Sequence, residues 1–196
     1  MHRKSSTAGS SSMRSAISIL QGEHASYATV LKTLVGHLER ARAHSFKPRL
    51  EIFATGLGFI GTFIDEFHHP KEDEFLFLAL RRHTNEADEV LRELQFDHAH
   101  GTRAIDELKA ALDHAQSGGV AELHLFAEAM ERYMQAQLAH MEREESTVIP
   151  LARLLLTEDD WKEIDRAFCA NRDPLFSAKH SAQFGTLFQP GTKDAG

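Results

Sequence analysis

Cysteine is almost missing from this chain. A single thiol, Cys169, stands among 196 residues, which excludes an intramolecular disulfide and a thiolate metal cluster and fits a reducing compartment. No apolar run reaches the length of a membrane span, and Met1–Ser15 is Ser-rich with scattered basic residues rather than an apolar signal region. A cytoplasmic location is therefore expected. Excess positive charge is also lacking: 22 Lys and Arg against 29 Asp and Glu give −7 with His neutral. That balance gives no reason to expect nucleic acid or an anionic membrane surface as partner. Strand-like alternation is absent as well, so helix is the one periodic signal left. Histidine, by contrast, is plentiful, with 13 copies. The number matters only for those that fall on buried faces.

With 42% hydrophobic residues, the chain can bury one sizeable core. Residues 1–14 are low in complexity and are expected to be disordered. Helical spacing begins at Ile17 and runs through Leu20, His24, Tyr27, Leu31, Leu34 and Leu38, in steps of three and four that mark one buried stripe. It fades at Ala43–Ser45, before Pro48. A second helix is expected over Arg49–Arg82, with Phe53, Leu57, Ile60, Ile64, His68, Glu72, Phe75 and Ala79 on one side. Gly56, Gly58 and Gly61 allow close approach of a neighbour. Pro70 interrupts this run. A continuous helix kinked at Pro70 fits the unbroken apolar pattern; a new helix starting there is the alternative.

A third helix is expected over Asn85–Gln116, with Leu91, Leu94, His98, Gly101, Ile105 and Leu108 on its seam. A fourth follows over Val120–Ile149, with Phe126, Met130, Tyr133, Gln137, His140 and Glu144, and stops at Pro150. Thr157 reads as the N-cap of a short fifth helix through Trp161, Ile164 and Phe168. The expected fold is all-α: an antiparallel up-down-up-down four-helix bundle over 15–150. Residues 151–196 add the short helix and an irregular tail. Leu175, Phe176, Phe184 and Phe188 give that tail enough apolar surface to cover the bundle or to meet a second copy in a homodimer.

Each long seam carries one histidine: His24, His68, His98 and His140. Alone, each is more simply a hydrogen-bonded core residue than a ligand. Together they share a height, because in an antiparallel hairpin residues equidistant from the turn lie opposite each other. The midpoint of His24 and His68 falls at residue 46, that of His68 and His98 at residue 83, and that of His98 and His140 at residue 119. All three lie in expected turns. Glu72 and Glu144 each stand one helical turn beyond a histidine, on parallel helices, so both carboxylates converge on one place and require a cation between them. His69 partly shares the face of His68 and is either a further ligand or a boundary residue. Imidazole and carboxylate without thiolate suit iron, manganese or zinc. Five histidines and two glutamates exceed one tetrahedral zinc, and two metals bridged by the glutamates use the supply better. The remaining histidines, His100 among them, fall off the seams and read as surface residues.

His24, His68-His69-Pro70-Lys71-Glu72, Asp97-His98 and His140-x-x-x-Glu144 resemble the hemerythrin-like, or HHE cation-binding, family over roughly residues 16–150. The resemblance implies a four-helix bundle with two non-haem irons, oxo- or hydroxo-bridged, rather than zinc or manganese. It implies His24, His68, His69, Glu72, His98, His140 and Glu144 as metal ligands. Two departures stand out. Leu94 occupies the place, four residues before His98, where the oxygen-carrying hemerythrins have a second histidine. Glu144 follows His140 at four residues rather than an Asp at five. Both are similar to the broader hemerythrin-like group and put reversible oxygen carriage in doubt. Tyr27, one turn from His24, is either a core aromatic or a hydrogen-bond donor at an open iron position, and Gln137 is either an outer-sphere partner of the site or a packed residue. The implied function is binding or sensing of oxygen or a related small molecule. A peroxide- or nitric oxide-directed oxidoreductase, peroxidase- or catalase-like, and a metal-stapled structural bundle are the alternatives.

Overall fold

The computed structural model describes residues 7–44 and 48–170, and every element in it is helical. Helix α1 spans Thr7–His44. Helix α2 runs without a break from Glu51 to His83, as α-helical Glu51–Phe59, His69–Lys71 and Leu78–His83 with π-helical Ile60–His68 and Glu72–Phe77 between them. Helix α3 is Asp88–Ser117. Helix α4 continues from Val120–Arg143 through a π turn, Glu144–Val148, into Ile149–Leu155. Helix α5 is Glu158–Ala170.

Two boundaries differ from the sequence expectation. The helix that was to start near residue 15 begins at Thr7, because adding turns to an established helix is far easier than nucleating one. Pro150 does not end α4, which reaches Leu155. Pro70 lies inside a continuous α2, as the unbroken apolar pattern predicts, with π-helical segments on both sides. One cause accounts for both prolines. A proline ring clashes with the carbonyl four residues back and has no N–H to offer. Just ahead of each proline the helix widens: the N–H of His69 donates to the Ile64 carbonyl and that of Ile149 to the Glu144 carbonyl, both five residues back. The first turn, residues 45–47, and the apolar tail with Leu175, Phe176, Phe184 and Phe188 lie outside the described residues.

Two apolar clusters fill the bundle. One gathers Leu31, Leu34, Phe53, Leu57, Phe63, Leu108, Phe126 and Met130 towards the α3–α4 turn. The other gathers Leu20, Leu76, Leu80, Leu91, Val148, Trp161 and Phe168 towards the α2–α3 turn. Each phenyl ring buried in the first stabilises the fold by about 1.5–3 kcal/mol relative to exposure. Of the three α2 glycines, Gly56 alone is needed for close approach. A Cβ there would lie 2.6 Å from Leu34 Cδ1, whereas Gly58 faces open space and Gly61 has its nearest neighbour at 3.7 Å. Helix α5 packs Trp161, Ile164 and Phe168 against Ala16, Leu20 and Leu76. Its start is held by a capping box, in which the Asp160 N–H donates to Thr157 Oγ1 and the Thr157 N–H donates to Asp160 Oδ2.

A candidate metal centre between two apolar clusters

Between the clusters lies a layer of buried polar side chains: Glu23, His24, His68, His69, Lys71, Glu72, His98, His140 and Glu144, none more than 9% exposed. The four seam histidines meet there from four different helices. Two groups stand close enough to hold a cation. His24, His68 and Glu72 form one, and His69, Glu72, His98 and His140 the other, each with ligand atoms within 4.8 Å of one another.

The glutamates divide their oxygens between the groups. Glu72 Oε1 lies 3.5 Å from His24 Nε2 and 3.3 Å from His68 Nε2, while Glu72 Oε2 faces His98 Nε2 at 3.7 Å. Glu144 Oε2 lies 3.2 Å from His24 Nε2, while Oε1 lies 3.1 Å from His140 Nε2 and 3.7 Å from His98 Nε2. The His69 ring stacks on His98 with centroids 4.0 Å apart. All four glutamate oxygens and His24 Nε2 are buried without a hydrogen bond. Buried carboxylates in that condition are rare in folded proteins and call for a partner of another kind.

The nitrogens also fit an ion better than they fit each other. His98 Nε2 and His140 Nε2 face one another at 3.0 Å. Two ligands at right angles on a metal, each at about 2.1 Å, stand about 3.0 Å apart. With no thiolate in the set, the donors are of the kind that iron, manganese and zinc accept.

Four outward nitrogens each face an acid, and three of these contacts are hydrogen bonds. Glu23 on α1 accepts from His68 Nδ1 on α2 at 2.7 Å. Asp73 on α2 lies 3.1 Å from His98 Nδ1 on α3. Asp97 on α3 accepts from His140 Nδ1 on α4 at 3.1 Å, and Glu145 on α4 accepts from His24 Nδ1 on α1 at 2.9 Å. Each helix thus lends an acid to the next. Such carboxylate–imidazole pairs fix ring orientation and leave the other nitrogen for a metal. His69 is the exception: its Nδ1 lies 3.4 Å from Asp65 Oδ1 of its own helix, and neither atom makes a hydrogen bond. Gly101 makes room for that acid, since a Cβ there would stand 2.7 Å from Asp65 Oδ1. Arg143 further anchors Asp97 at 2.6 Å.

Sequence reasoning did not find this ring, although its signal was present. Each supporting acid is the immediate chain neighbour of a candidate ligand: Glu23 before His24, Asp73 after Glu72, Asp97 before His98, and Glu145 after Glu144. Neighbours on a helix are about 100° apart. When one points to the bundle axis, the other points to the seam with the next helix.

The protonation of the metal-free layer follows from this crowding. Burial works against charge on His24, yet Glu144 and Glu72 lift its pKa well above the ordinary value. His98 is pushed up to about 10 against burial by Asp73 and Glu144, and His140 to about 9 by Asp97 and Glu144. Facing each other Nε2 to Nε2, those two cannot both hold the proton on that atom. Burial also opposes charge on Glu144, but His140, His24 and His98 hold its carboxyl well below the usual range. Burial and the neighbouring imidazoles keep His69 neutral.

For Tyr27 and Gln137 the sequence left two roles open. The Tyr27 hydroxyl is buried and pairs with the Tyr133 hydroxyl at 2.9 Å, below the layer and among the apolar side chains. Gln137 is partly buried on α4. His100 points outward, with Nδ1 on the Phe96 carbonyl at 2.7 Å. No helix of the described residues is long and apolar enough to cross a membrane.

Five imidazoles and two shared carboxylates, buried between apolar layers of a helical bundle, define a cation-binding helical protein. The model of the hemerythrin HHE cation binding domain matches residues 15–152, and the chain belongs to that family. No curated protein and no solved structure matched it.

Proposed function

We propose that this chain is a non-haem di-iron protein that binds or senses oxygen or a related small molecule, in an antiparallel up-down-up-down bundle. The observation that carries the proposal is the division of the glutamate oxygens. Each of Glu72 and Glu144 turns one oxygen to His24 and the other to the His98 side. A single ion needs no such sharing; two ions side by side do. His24 and His68 with one oxygen from each glutamate would hold one ion, and His69, His98 and His140 with the other two oxygens its neighbour. Iron so held supplies reversible one-electron chemistry and affinity for small diatomic ligands.

Two independent features point to the same open side. The His24–His68 position has two imidazoles against three across the layer, so it leaves more room for an outside ligand. A groove of about 590 Å³ between α1 and α4, lined by Gln21, Ala25, Ala28, Met141 and Ser146, also reaches His24. Asymmetric sites with free positions are the kind that oxygen-handling iron proteins use.

The test is metal analysis followed by gas exposure. Protein produced with iron should hold close to two irons per chain and, once reduced without air, should gain a near-ultraviolet and visible band on exposure to oxygen that fades on its removal. Steady turnover of peroxide would instead support an oxidoreductase. One tightly held zinc with no response to oxygen would overturn the proposal.

A further inference from the structure

Lys71 is the only buried lysine or arginine among the residues whose side chains are described, at 3% exposure. Its ammonium has one carboxylate partner, Glu23 Oε1 at 2.6 Å. On another side it lies 4.8 Å from the centre of the Phe168 ring, the face of which attracts a desolvated cation. Phe168 belongs to α5, which lies wholly beyond the family-matched residues 15–152. Glu23 uses its second oxygen to hold His68 Nδ1 at 2.7 Å, and His68 turns its other nitrogen to Glu72 Oε1 at 3.3 Å. An unbroken line of contacts therefore runs from α5 into the layer: Phe168, Lys71, Glu23, His68, Glu72.

The other three ring-forming acids do not share this arrangement. Glu145 and Asp73 are far more open, at 42% and 29% exposure, and face His24 and His98. Asp97 is 36% exposed and takes both His140 and Arg143 on one oxygen. Only Glu23 is enclosed, at 3%, and only Glu23 spreads a histidine and a lysine over separate oxygens. An enclosed carboxylate needs its counter-charge at hand, so the orientation of Glu23, and through it that of the His68 ring, depends on Lys71 staying in place. Lys71 in turn is shut off from water by Phe168, itself fixed among Leu20, Leu76 and Trp161.

We infer that α5 is a working part of the cation centre rather than a cover for the bundle, with Phe168 and Lys71 as positioning residues that set His68 through Glu23. The inference rests on the layer's being a two-cation centre and selects one of the two positions. Losing this support weakens the His24–His68 position and spares the His69–His98–His140 position. Outer-sphere carboxylate partners of this type are typically worth 10–100-fold in metal affinity, and that is the loss expected here.

Titration of the metal-free full chain with Co²⁺, followed by its visible absorption, tests this. Wild type should take up two equivalents, and the class lost in His24→Ala identifies the two-histidine position. Lys71→Met, which keeps length and removes charge, should weaken that class about 10–100-fold and leave the other unchanged. Phe168→Leu, a milder change that keeps α5 packed, should shift the same class in the same direction by less, and Phe168→Tyr should restore it. A purely structural role would lower thermal stability and leave both affinities alone. Wild type binding two Co²⁺ while Lys71→Met or a folded Phe168→Leu binds both as tightly would overturn the inference alone. Wild type that binds fewer than two would overturn the two-cation reading and the inference with it.

Discussion

The polar layer and the apolar cluster beneath it are equally buried and differently finished. In the cluster, Phe53 and Phe126 meet edge to face with centroids 5.3 Å apart, and Leu34 fills the gap left by Gly56. Nothing there lacks a partner, because apolar side chains ask only to be covered. In the layer, the four oxygens of Glu72 and Glu144 are covered and still unbonded. Such groups are expensive to bury for stability alone. Packing makes the bundle; the layer is what the bundle is for.

Paired substitutions on the two sides of this contrast should separate the two properties. Glu72→Ala or Glu144→Ala removes a carboxylate that turns one oxygen to His24 and the other to His98. Metal content should fall from two per chain to under one, with an affinity loss above the roughly 10–100-fold typical of an outer-sphere partner. Phe126→Ala should instead cost about 3–5 kcal/mol of unfolding free energy through the cavity it leaves, with metal content of the folded fraction unchanged. Metal analysis and denaturant unfolding of the same three proteins check both halves. A Phe126→Ala protein that folds and loses its metal would erase the contrast.

The contrast also predicts a pH dependence that metal should remove. In the metal-free protein the pKa values of His24, His98 and His140 are raised above 6.5 in the folded state, the last two to about 10 and about 9. A raised value means stability that is fully present below pH 6.5 and lost as pH rises through the folded values. Glu144 has the opposite shift, so its contribution is present above pH 4.5 and lost as pH falls through its depressed value. Metal-free protein should therefore unfold at progressively lower temperature from pH 6.5 to 10. Metal-loaded protein, whose imidazoles are already neutral ligands, should hold its stability over that range. Because ligating imidazoles must give up their protons, metal uptake at neutral pH should also release at least two, one from His24 and one from the His98–His140 pair. Thermal unfolding with and without chelator, and titration calorimetry in buffers of different ionisation enthalpy, measure these. Parallel pH profiles would sink the idea.

Much of the centre was legible in the chain because two signals coincided there. A seam fixes which face a residue takes, and turn positions fix its height. His24, His68, His98 and His140 needed nothing more to be placed in one layer, and Glu72 and Glu144 followed by one turn of helix. The supporting acids were less legible because adjacency along a helix does not say which neighbouring helix is touched. Glu23 and Asp97 serve the helix that follows, and only packing decides that direction. Pro150 misled for a related reason: the rule that proline ends a helix assumes an α-helical carbonyl four residues back, and the π turn over Glu144–Val148 moves it. The burial of Lys71 could not be read at all, since a lysine among acidic residues on a helix ordinarily faces water.

The smallest expected effect concerns Tyr27, which the sequence allowed either in the core or at the metal. Its hydroxyl shares a hydrogen bond of 2.9 Å with Tyr133, and burial, together with Tyr133 and Asp65, raises its pKa well above the ordinary value. Both hydroxyls stay protonated, so one donates to the other and has its own need met. Tyr27→Phe leaves the ring in place and strands the Tyr133 hydroxyl, a change worth about 1 kcal/mol. Stability should drop by that amount, with metal content and any oxygen-dependent band as in wild type. Tyr27 then belongs to the apolar side of the comparison. A Tyr27→Phe protein of unchanged stability but altered band would move it to the other side, because only a hydroxyl acting on the centre itself could produce that pattern.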